Sequence, residues 1–307
     1  MRDVFVRSLM EEAERDPRIM LITGDLGFGV LDKFQQRFPK QFINAGVAEQ
    51  NMTGLATGLA LEGRVVFTYS IANFPILRCL EQIRNDAAYH DANVKVVSIG
   101  GGFSYGALGM SHHATEDLAI LRALPQVSVF APGCDWEVHH GTKALIAAPG
   151  TCYLRLDKST AGDTGGANEA FKLGRARVVR RGARVAIVTC GGILGAVLAA
   201  ADAVATHGLQ PTVVSMHTLR PFDRDALLEL AASHTAILTV EEHVRNGGLG
   251  SACAEVLLDA GASPRFRRLA NPGDEYVSVV GSQDYLRAQC GLDPTAIATA
   301  IRELAVG

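Results

Sequence analysis

The chain contains 307 residues, of which 48% are hydrophobic, 20% charged and 6% aromatic, and its formal net charge is −3. This near-neutral balance excludes the polybasic surface that is typical of nucleic-acid-binding proteins, so we expect no nucleic-acid partner. At roughly 150 residues per domain, the length predicts two domains.

The sequence predicts a soluble, cytoplasmic protein without a membrane contact. No apolar run approaches the roughly 18 residues of a membrane span. The first residues, MRDVFVRSLMEEAERD, are charged throughout, unlike a secretory signal. The cysteines lie far apart in the sequence, which predicts reduced thiols instead of a disulfide framework or a structural zinc site. They are Cys79, Cys134, Cys152, Cys190, Cys253 and Cys290.

Short apolar runs alternate with helical patterns through the first half of the chain. The runs are continuous, as in parallel strands that are buried on both faces. They occupy 19–25, 41–46, 65–70, 94–101, 127–133 and 151–157. Helices are predicted at 4–14, 48–61, 75–87, 116–123 and 136–147. The alternation of strand and helix predicts a doubly wound sheet.

A polar, glycine-rich stretch at 157–171 predicts a linker, after which a second series begins. Its predicted strands are 184–191, 211–218, 236–242 and 266–271. Its predicted helices are 193–206, 224–232, 248–260 and 293–305. We therefore predict an α/β protein with two doubly wound domains, at 1–165 and 175–307.

The segment NAGVAEQNMTGLATGLALEG (44–63) joins a predicted strand to a helix that contains glycine. Glycine in a helix interior costs about 0.5–1 kcal/mol relative to alanine, so the pair Gly54 and Gly58 predicts close packing against another helix. Glu49 falls in the first turn, where the helix dipole favours a carboxylate. By local chemistry alone, an ordinary first-turn surface residue is the favoured interpretation of Glu49.

Five segments, in this order, resemble the transketolase family of thiamine diphosphate enzymes. GVAEQNM (46–52) is similar to the family's cofactor-glutamate helix, and GALGMSHHATEDLAILRALP (106–125) to its histidine loop. LRPFDRDAL (219–227), TVEEHVRNGGLGSACAEVL (239–257) and QDYLRAQCGLD (283–293) resemble its C-terminal domain. The resemblance implies a pyrimidine-binding thiamine diphosphate fold followed by a transketolase C-terminal-like domain, about half of a full-length transketolase.

The family's Gly-Asp-Gly motif, which with a downstream Asn binds Mg²⁺ and the diphosphate, does not occur in the sequence. Its nearest approximations are TGDLG (23–27) and NPGDE (271–275). Mg²⁺ takes hard oxygen ligands, which this motif supplies in the family. Because the motif is absent, we expect no metal ligand on this chain. The resemblance implies thiamine diphosphate and Mg²⁺ as cofactors, with the metal held by an N-terminal transketolase subunit in an α2β2 heterotetramer.

The resemblance assigns roles to individual residues. It implies that Glu49 contacts the aminopyrimidine ring nitrogen and promotes deprotonation of the thiazolium carbon. It implies that His112 binds sugar oxygens and assists proton transfer, which suits an imidazole near neutral pH. Phe74 and Tyr69 are aligned with the aromatic residues that contact the cofactor, and ordinary core packing is the alternative for both.

Further contacts are expected at the carboxyl ends of strands, where ligands bind in open α/β sheets. Asp25 and Leu26 follow the first predicted strand on the cofactor side, and Thr23 is expected on the substrate side. The other expected substrate contacts are His113 and, for a phosphate group, the basic residues Arg2, Arg155 and Lys158. A solvated surface position is the alternative for the basic residues.

Two departures from the family bear on the substrate. Ordinary transketolases carry a second histidine and an aspartate where this chain has Gly100 and Leu108. Those family residues contact hydroxyls of the donor. Because unpaired buried polar groups discriminate strongly between substrates, their replacement implies a modified or less hydroxylated sugar.

The sequence thus predicts the C-terminal subunit of a split transketolase, which transfers a two-carbon ketol unit between sugar phosphates or modified sugars. The β subunit of a 2-oxo acid dehydrogenase decarboxylating component is an alternative, disfavoured by the sugar-type loop at 106–125. A deoxyxylulose-phosphate-synthase-like carboligase is a further alternative, which the split chain disfavours. A noncatalytic partner protein is disfavoured by the presence of Glu49 and His112.

Overall fold

Two β-sheets, each flanked by helices, organise the chain in the computed structural model, which describes residues 1–166 and 169–306. The prediction of two α/β domains is confirmed. Both sheets are mixed, because each has one antiparallel strand at an edge. The sequence pattern predicted only the parallel strands.

The first domain contains six strands and five α-helices. The strands are β1 (Ile19–Thr23), β2 (Phe42–Asn44), β3 (Val65–Ile71), β4 (Val94–Ile99), β5 (Val127–Phe130) and β6 (Thr151–Leu156). The helices are α1 (Arg2–Ala13), α2 (Asp32–Arg37), α3 (Glu49–Leu61), α4 (Asp117–Ala123) and α5 (Asp135–Ala147), with a π-helix at Gln82–Ala88.

Residues 169–306 contribute six more strands and five more α-helices. The strands are β7 (Arg177–Arg180), β8 (Val185–Thr189), β9 (Thr212–Ser215), β10 (Thr218–Arg220), β11 (Ala236–Val244) and β12 (Arg265–Asn271). The helices are α6 (Leu194–Ala205), α7 (Arg224–Ser233), α8 (Leu249–Asp259), α9 (Gln283–Gln289) and α10 (Pro294–Val306).

The strand order is β10-β5-β6-β4-β3-β1-β2 in the first sheet and β12-β11-β8-β9-β7 in the second. The predicted continuous strand at 211–218 is wrong, because β9 ends at Ser215 and the chain then crosses to the first sheet. There β10 pairs antiparallel with β5, with Thr218 opposite Phe130. The crossing covers the backbone edge of β5, which would otherwise be unpaired.

Both faces of the first sheet are buried, which explains the continuous apolar runs. On β1, Ile19 and Leu21 face the core formed with α1, α2 and α5, while Met20 and Ile22 face the core formed with α3 and the π-helix. The second of these cores continues without a break into the C-terminal domain, where it includes Leu249 of α8. The two domains are therefore packed together through one shared core.

The parallel strands β1, β2, β3, β4 and β6 end at the same edge of the first sheet. The loops that follow them, at 24–31, 45–48, 72–81, 100–116 and 157–166, meet at this carboxyl edge. The candidate site residues of the first domain lie on these loops or beside them. Among residues 1–166 and 169–306, no helix combines the length and the apolar character of a bilayer-spanning segment.

Candidate active site

Glu49 is the first residue of α3, and its side chain is buried, with only 4% of its surface exposed. Its Oε2 atom accepts a hydrogen bond from Nη1 of Arg78 at 3.1 Å. The same guanidinium lies over the Phe74 ring, with its carbon 4.7 Å from the ring centroid. A buried carboxylate, a cation and an aromatic face therefore meet in one place.

Two glycines give the Glu49 turn its shape. Gly46 has a φ of +74°, which lets the chain turn from β2 into α3. Gly24, just after β1, would bring a Cβ to 3.3 Å from the Gly46 carbonyl oxygen and 3.8 Å from Cγ of Glu49. The absence of a side chain at position 24 keeps the space beside the carboxylate open.

His112 joins this cluster from the opposite loop. Its half-buried ring lies 5.2 Å from the Phe74 ring and 6.3 Å from the Tyr105 ring, measured between centroids. Its Nδ1 atom is 3.0 Å from the Ser111 hydroxyl. The structure therefore brings together three of the predicted residues, Glu49, Phe74 and His112.

His113 has a different environment from its neighbour. Only 4% of it is exposed, and its ring packs edge-on against Phe103 at 5.2 Å. Its Nε2 atom lies 3.3 Å from the Gly106 carbonyl oxygen, and Asn73 donates to its backbone carbonyl. Burial lowers the pKa of His113, which keeps the imidazole neutral. These contacts hold the loop from inside, and His113 also lines a cavity with Asn73, Leu77 and Met110.

The C-terminal domain reaches the same loop through Glu242 on β11. This buried carboxylate accepts a hydrogen bond from the Phe103 backbone N–H at 2.5 Å. Arg287 and Gln283, on α9, donate to it at 2.6 and 3.0 Å. The motifs TVEEHV and QDYLRAQ therefore converge on the loop that carries His112.

Arg155 is buried and already paired with carboxylates of the protein. Its side chain is 2% exposed and forms ion pairs with Asp117 at 3.2 Å and Asp157 at 3.4 Å. Its Nη2 atom donates to the Glu242 carbonyl oxygen at 2.8 Å. The predicted phosphate contact of Arg155 therefore needs correction, because this guanidinium is committed to the buried junction between the domains.

The other two basic residues do lie near the cluster. The exposed Lys158 places its ammonium 3.9 Å from the centroid of the Tyr105 ring. Arg2, at the start of α1, pairs with Asp3 at 3.0 Å. Burial raises the pKa values of the Tyr69 and Tyr105 phenols, and the nearby charge of Arg2 opposes that rise.

The predicted residues around β1 mainly shape their own loop. Tyr69 is 2% exposed and stacks on Phe5 in the core, with 6.4 Å between ring centroids. The Thr23 hydroxyl donates to the carbonyl oxygens of Leu26 at 3.0 Å and Tyr69 at 3.3 Å. Asp25 is exposed, and its carboxylate accepts a hydrogen bond from the Asn44 amide at 3.0 Å.

Sequence reasoning missed Arg78, Tyr105 and Glu242. Arg78 follows Phe74 by four residues, a spacing that places side chains together in a helical turn and gave a usable clue. Glu242 lies within a recognised motif, but nothing local indicated that it faces the other domain. Among the described residues, no group of three or more His, Cys, Asp or Glu side chains is arranged to hold a metal ion.

Comparisons with known proteins place this geometry in a family. Residues 1–163 match the family described as "Transketolase, pyrimidine binding domain", and residues 174–297 match "Transketolase, C-terminal domain". The fold and the site thus define a pyrimidine-binding domain joined to a transketolase C-terminal domain. The chain belongs to the transketolase family, as its sequence motifs predicted.

Relatives of similar length are subunits of split enzymes. The chain is 34% identical to "6-deoxy-6-sulfo-D-fructose transketolase subunit SqwH" from Clostridium sp. (strain MSTE9), over 99% of this chain and 94% of the relative. It is 34% identical to an apulose-4-phosphate transketolase subunit from Phocaeicola vulgatus, over 96% of this chain and 94% of the relative. The solved structure "Split gene transketolase, inactive beta4 tetramer" superposes with a TM-score of 0.87 at 31% identity, covering 99% of this chain and 97% of that one.

A longer relative differs in its chain organisation. The chain is 36% identical to "1-deoxy-D-xylulose-5-phosphate synthase" from Anaeromyxobacter sp. (strain K), but it spans only 48% of that protein. The prediction of a split-transketolase subunit, a transferase that works with a partner, is confirmed by the subunits of matching length. Membership of the family implies dependence on thiamine diphosphate.

Proposed function

We propose that the chain is the C-terminal subunit of an α2β2 transketolase that transfers a two-carbon ketol unit between sugar phosphates or modified sugars. The observation that carries the proposal is the cluster of the buried Glu49 with the half-buried Phe74 and His112 at the carboxyl edge of the first sheet. When bound, thiamine diphosphate supplies a nucleophilic carbon that accepts the two-carbon unit.

The residues present suit the aminopyrimidine part of this cofactor. The ring of Phe74 already binds one planar group, the Arg78 guanidinium. An aromatic ring of this kind can also stack with the aminopyrimidine. Glu49 has a second carboxylate oxygen beside the one that contacts Arg78, so it can hold a proton shared with a ring nitrogen. A hydrogen bond to a charged group contributes about 1.5–3 kcal/mol, about one to two powers of ten in rate where it forms only in the reacting state. Asp25 and Leu26 lie on the adjacent loop after β1 and complete the proposed cofactor side.

His112 is the residue that we assign to the substrate. Its ring is half-buried between Phe74 and Tyr105, and the Ser111 hydroxyl contacts Nδ1. The other ring nitrogen is then available to bind a sugar oxygen and to accept or return its proton. Lys158 and Arg2 supply positive charge close by, which suits an anionic group at the far end of the sugar.

The partner subunit supplies the diphosphate and Mg²⁺ site in this proposal. Large apolar side chains are exposed on four of the loops at the carboxyl edge, and they support the presence of a covering chain. They are Phe28, Val47, Leu77, Leu108 and Met110, of which the first two are 76% and 75% exposed. The related split-gene structure, described as a β4 tetramer, supports assembly beyond a single chain.

The test is reconstitution with the N-terminal subunit. Calorimetry with thiamine diphosphate and Mg²⁺ should give weak binding to this chain alone and binding at least a hundredfold tighter to the complex. The complex should transfer a two-carbon unit from a ketose donor, assayed with 6-deoxy-6-sulfo-D-fructose, apulose 4-phosphate and D-fructose 6-phosphate. Micromolar cofactor binding by the isolated chain contradicts the shared site, and absence of transfer from every ketose contradicts the reaction.

The likeness to 1-deoxy-D-xylulose-5-phosphate synthase supports a second candidate reaction, the condensation of pyruvate with a triose phosphate. The same complex decides between the two reactions. Release of CO₂ from pyruvate in the presence of D-glyceraldehyde 3-phosphate would favour the synthase-like reaction. Transfer from a ketose without CO₂ release favours the transketolase reaction.

A further inference from the structure

Tyr105 fills space that any side chain at position 100 would need. Gly100 directly follows β4 and has a φ of +97°. A Cβ built on Gly100 would coincide with the edge of the Tyr105 ring, at Cδ2 and Cε2. A side chain at position 100 and this placement of Tyr105 are therefore mutually exclusive.

The Tyr105 ring is fixed among the groups that we assign to the substrate. The ammonium of Lys158 lies 3.9 Å from its centroid, within the range of a cation–π interaction. The His112 ring lies 6.3 Å away, tilted by 61°. Arg2 is near enough for its charge to act on the phenol. Tyr105 thus contacts Lys158 and lies beside His112, with the charge of Arg2 nearby.

The Tyr105 hydroxyl is free to bind a ligand. Within residues 1–166 and 169–306, the Tyr105 hydroxyl has no hydrogen-bond partner, whereas the Tyr153 hydroxyl donates to Asp117. Burial raises the pKa of Tyr105 more strongly than Arg2 lowers it. The phenol is therefore protonated at neutral pH and can donate a hydrogen bond.

We propose that Tyr105 is a specificity-determining residue, whose hydroxyl donates a hydrogen bond to an oxygen of the sugar substrate beside His112. The inference rests on the proposed function and names a residue that selects the substrate. Because the ring also takes up the volume beside Gly100, it favours a ketose that carries a hydrogen-bond acceptor at this point and no bulky substituent. The candidates are ketose phosphates and sulfonated ketoses.

The test compares Tyr105→Phe with the wild type in the complex with the N-terminal subunit, thiamine diphosphate and Mg²⁺. This change removes the hydroxyl and keeps the ring over Gly100 and under Lys158. We expect the KM of the best ketose donor to rise about tenfold, the value for one lost hydrogen bond to a bound sugar, with kcat changed less than about threefold. Cofactor affinity, measured by calorimetry, should stay within about twofold. Tyr89→Phe, at an exposed tyrosine, is the matched control and should change none of these quantities.

A second variant tests the steric half of the proposal. Gly100→Ala should displace the Tyr105 ring and raise the same KM, while a melting curve shows that the variant is folded. Direct binding of 6-deoxy-6-sulfo-D-fructose and D-fructose 6-phosphate, by calorimetry without turnover, separates this proposal from the proposed reaction. Binding that is weakened in both variants supports a contact even where transfer fails. Equal KM and equal binding in Tyr105→Phe and wild type, or no binding of either sugar by the wild type, overturns the proposal.

Discussion

Glu49 lies at the start of a helix, as many surface glutamates do. It differs from them because it is buried and lies beside Arg78 and Phe74. The predicted change Glu49→Gln keeps the shape of the side chain and replaces the carboxylate by an amide, a weaker partner for a protonated ring nitrogen. In the assembled enzyme we expect hydrogen–deuterium exchange at the thiazolium carbon of the cofactor to slow at least about tenfold. NMR of quenched samples measures this rate directly.

The matched control for Glu49→Gln is Glu62→Gln, at the exposed C-terminal end of the same helix. Both variants lose one carboxylate at an end of α3, so a difference between them reports on the site and not on the helix. An exchange rate in Glu49→Gln equal to that of the control would assign Glu49 to the ordinary first-turn role that its local sequence also allowed.

His217 makes the stability of the chain depend on pH. It is 1% exposed and packs against the rings of Phe130 and Phe171. Burial lowers its pKa, although the Glu137 carboxylate acts in the opposite direction. The unfolded chain therefore binds a proton near pH 6.5 that the folded chain does not, so the stabilising contribution is present above that pH and is lost as the pH falls below it.

We predict that His217→Gln reduces the pH dependence of the free energy of unfolding between pH 6.5 and pH 5. One such group contributes a slope of up to about 1.4 kcal/mol per pH unit. Urea denaturation of the wild type and the variant at several pH values measures the difference between the slopes. His207→Gln, at an exposed histidine, is the control. Equal slopes in wild type and His217→Gln would show that His217 is not the responsible group.

Among single residues, the resemblance to the transketolase family identified those of the central cluster. Glu49, Phe74 and His112 were each predicted, and the structure places them together. Arg155 shows why other residues were misjudged. Its ion-pair partner Asp117 lies on α4, and its backbone acceptor, the Glu242 carbonyl oxygen, belongs to the other domain, so both contacts exist only after the chain has packed. A basic residue in a linear pattern carries no information about that packing.

The secondary-structure elements also divide into those that the sequence predicted and those that it missed. Long helices and buried parallel strands have strong periodicity and were predicted. The short helices α2 and α9, of six and seven residues, were not predicted, because so few positions show little periodicity. The equally short α4 lies within a recognised family motif and was predicted. The predicted helix at 75–87 begins instead with turns and contains a π-helix from Gln82, a widened backbone that sequence periodicity does not reveal. Strands β7 and β10 lie at sheet edges, where burial is partial and the apolar pattern is weak.

We predict that the loop that carries His112 depends on Glu242 for its order. Glu242 holds the loop from the C-terminal domain by accepting the Phe103 N–H. In Glu242→Gln, the amide oxygen remains an acceptor, but Arg287 loses its charged partner and the loop loses a strong contact. We expect amide hydrogen exchange in residues 100–113 to rise at least tenfold. In the assembled enzyme we expect the KM of the ketose to rise while cofactor affinity stays unchanged.

The adjacent residue supplies a close control for this effect. Glu241 is equally buried and also accepts backbone N–H groups, but those of Leu249 and Gly250 at the start of α8, both at 2.7 Å. Glu241→Gln should loosen α8 and leave residues 100–113 protected. Equal protection of the loop in both variants would mean that Glu242 does not position it.

We predict that the glycine face of α3 forms part of the interface between subunits. In the single chain, a Cβ on Gly54 or Gly58 would meet no atom within 4 Å, and the neighbouring Leu55 is 37% exposed. This face of α3 suits close packing against another chain, in an interface that typically buries more than about 2,000 Å². Gly54→Leu should therefore leave the isolated chain folded. In the proposed α2β2 complex it should weaken assembly through an overpacking cost of about 1–3 kcal/mol per site.

Light scattering of the mixed subunits measures both the stoichiometry and the effect of Gly54→Leu. Ala203→Leu, on the exposed face of a helix in the C-terminal domain, adds the same side chain elsewhere and should assemble normally. A fully active one-to-one complex, or normal assembly of Gly54→Leu, contradicts this assignment of the interface.

The position of β10 also affects how the chain is made and how its gene can be divided. Because β5 pairs with Thr218–Arg220, the ribosome must translate β7, β8 and β9 before the first sheet receives its last strand. Residues 1–166 therefore leave the ribosome with a bare sheet edge, and we expect them to aggregate when they are expressed as a separate fragment. A break in the reading frame at the linker would separate β5 from the strand that completes it. The fold therefore opposes a division of the gene within this region.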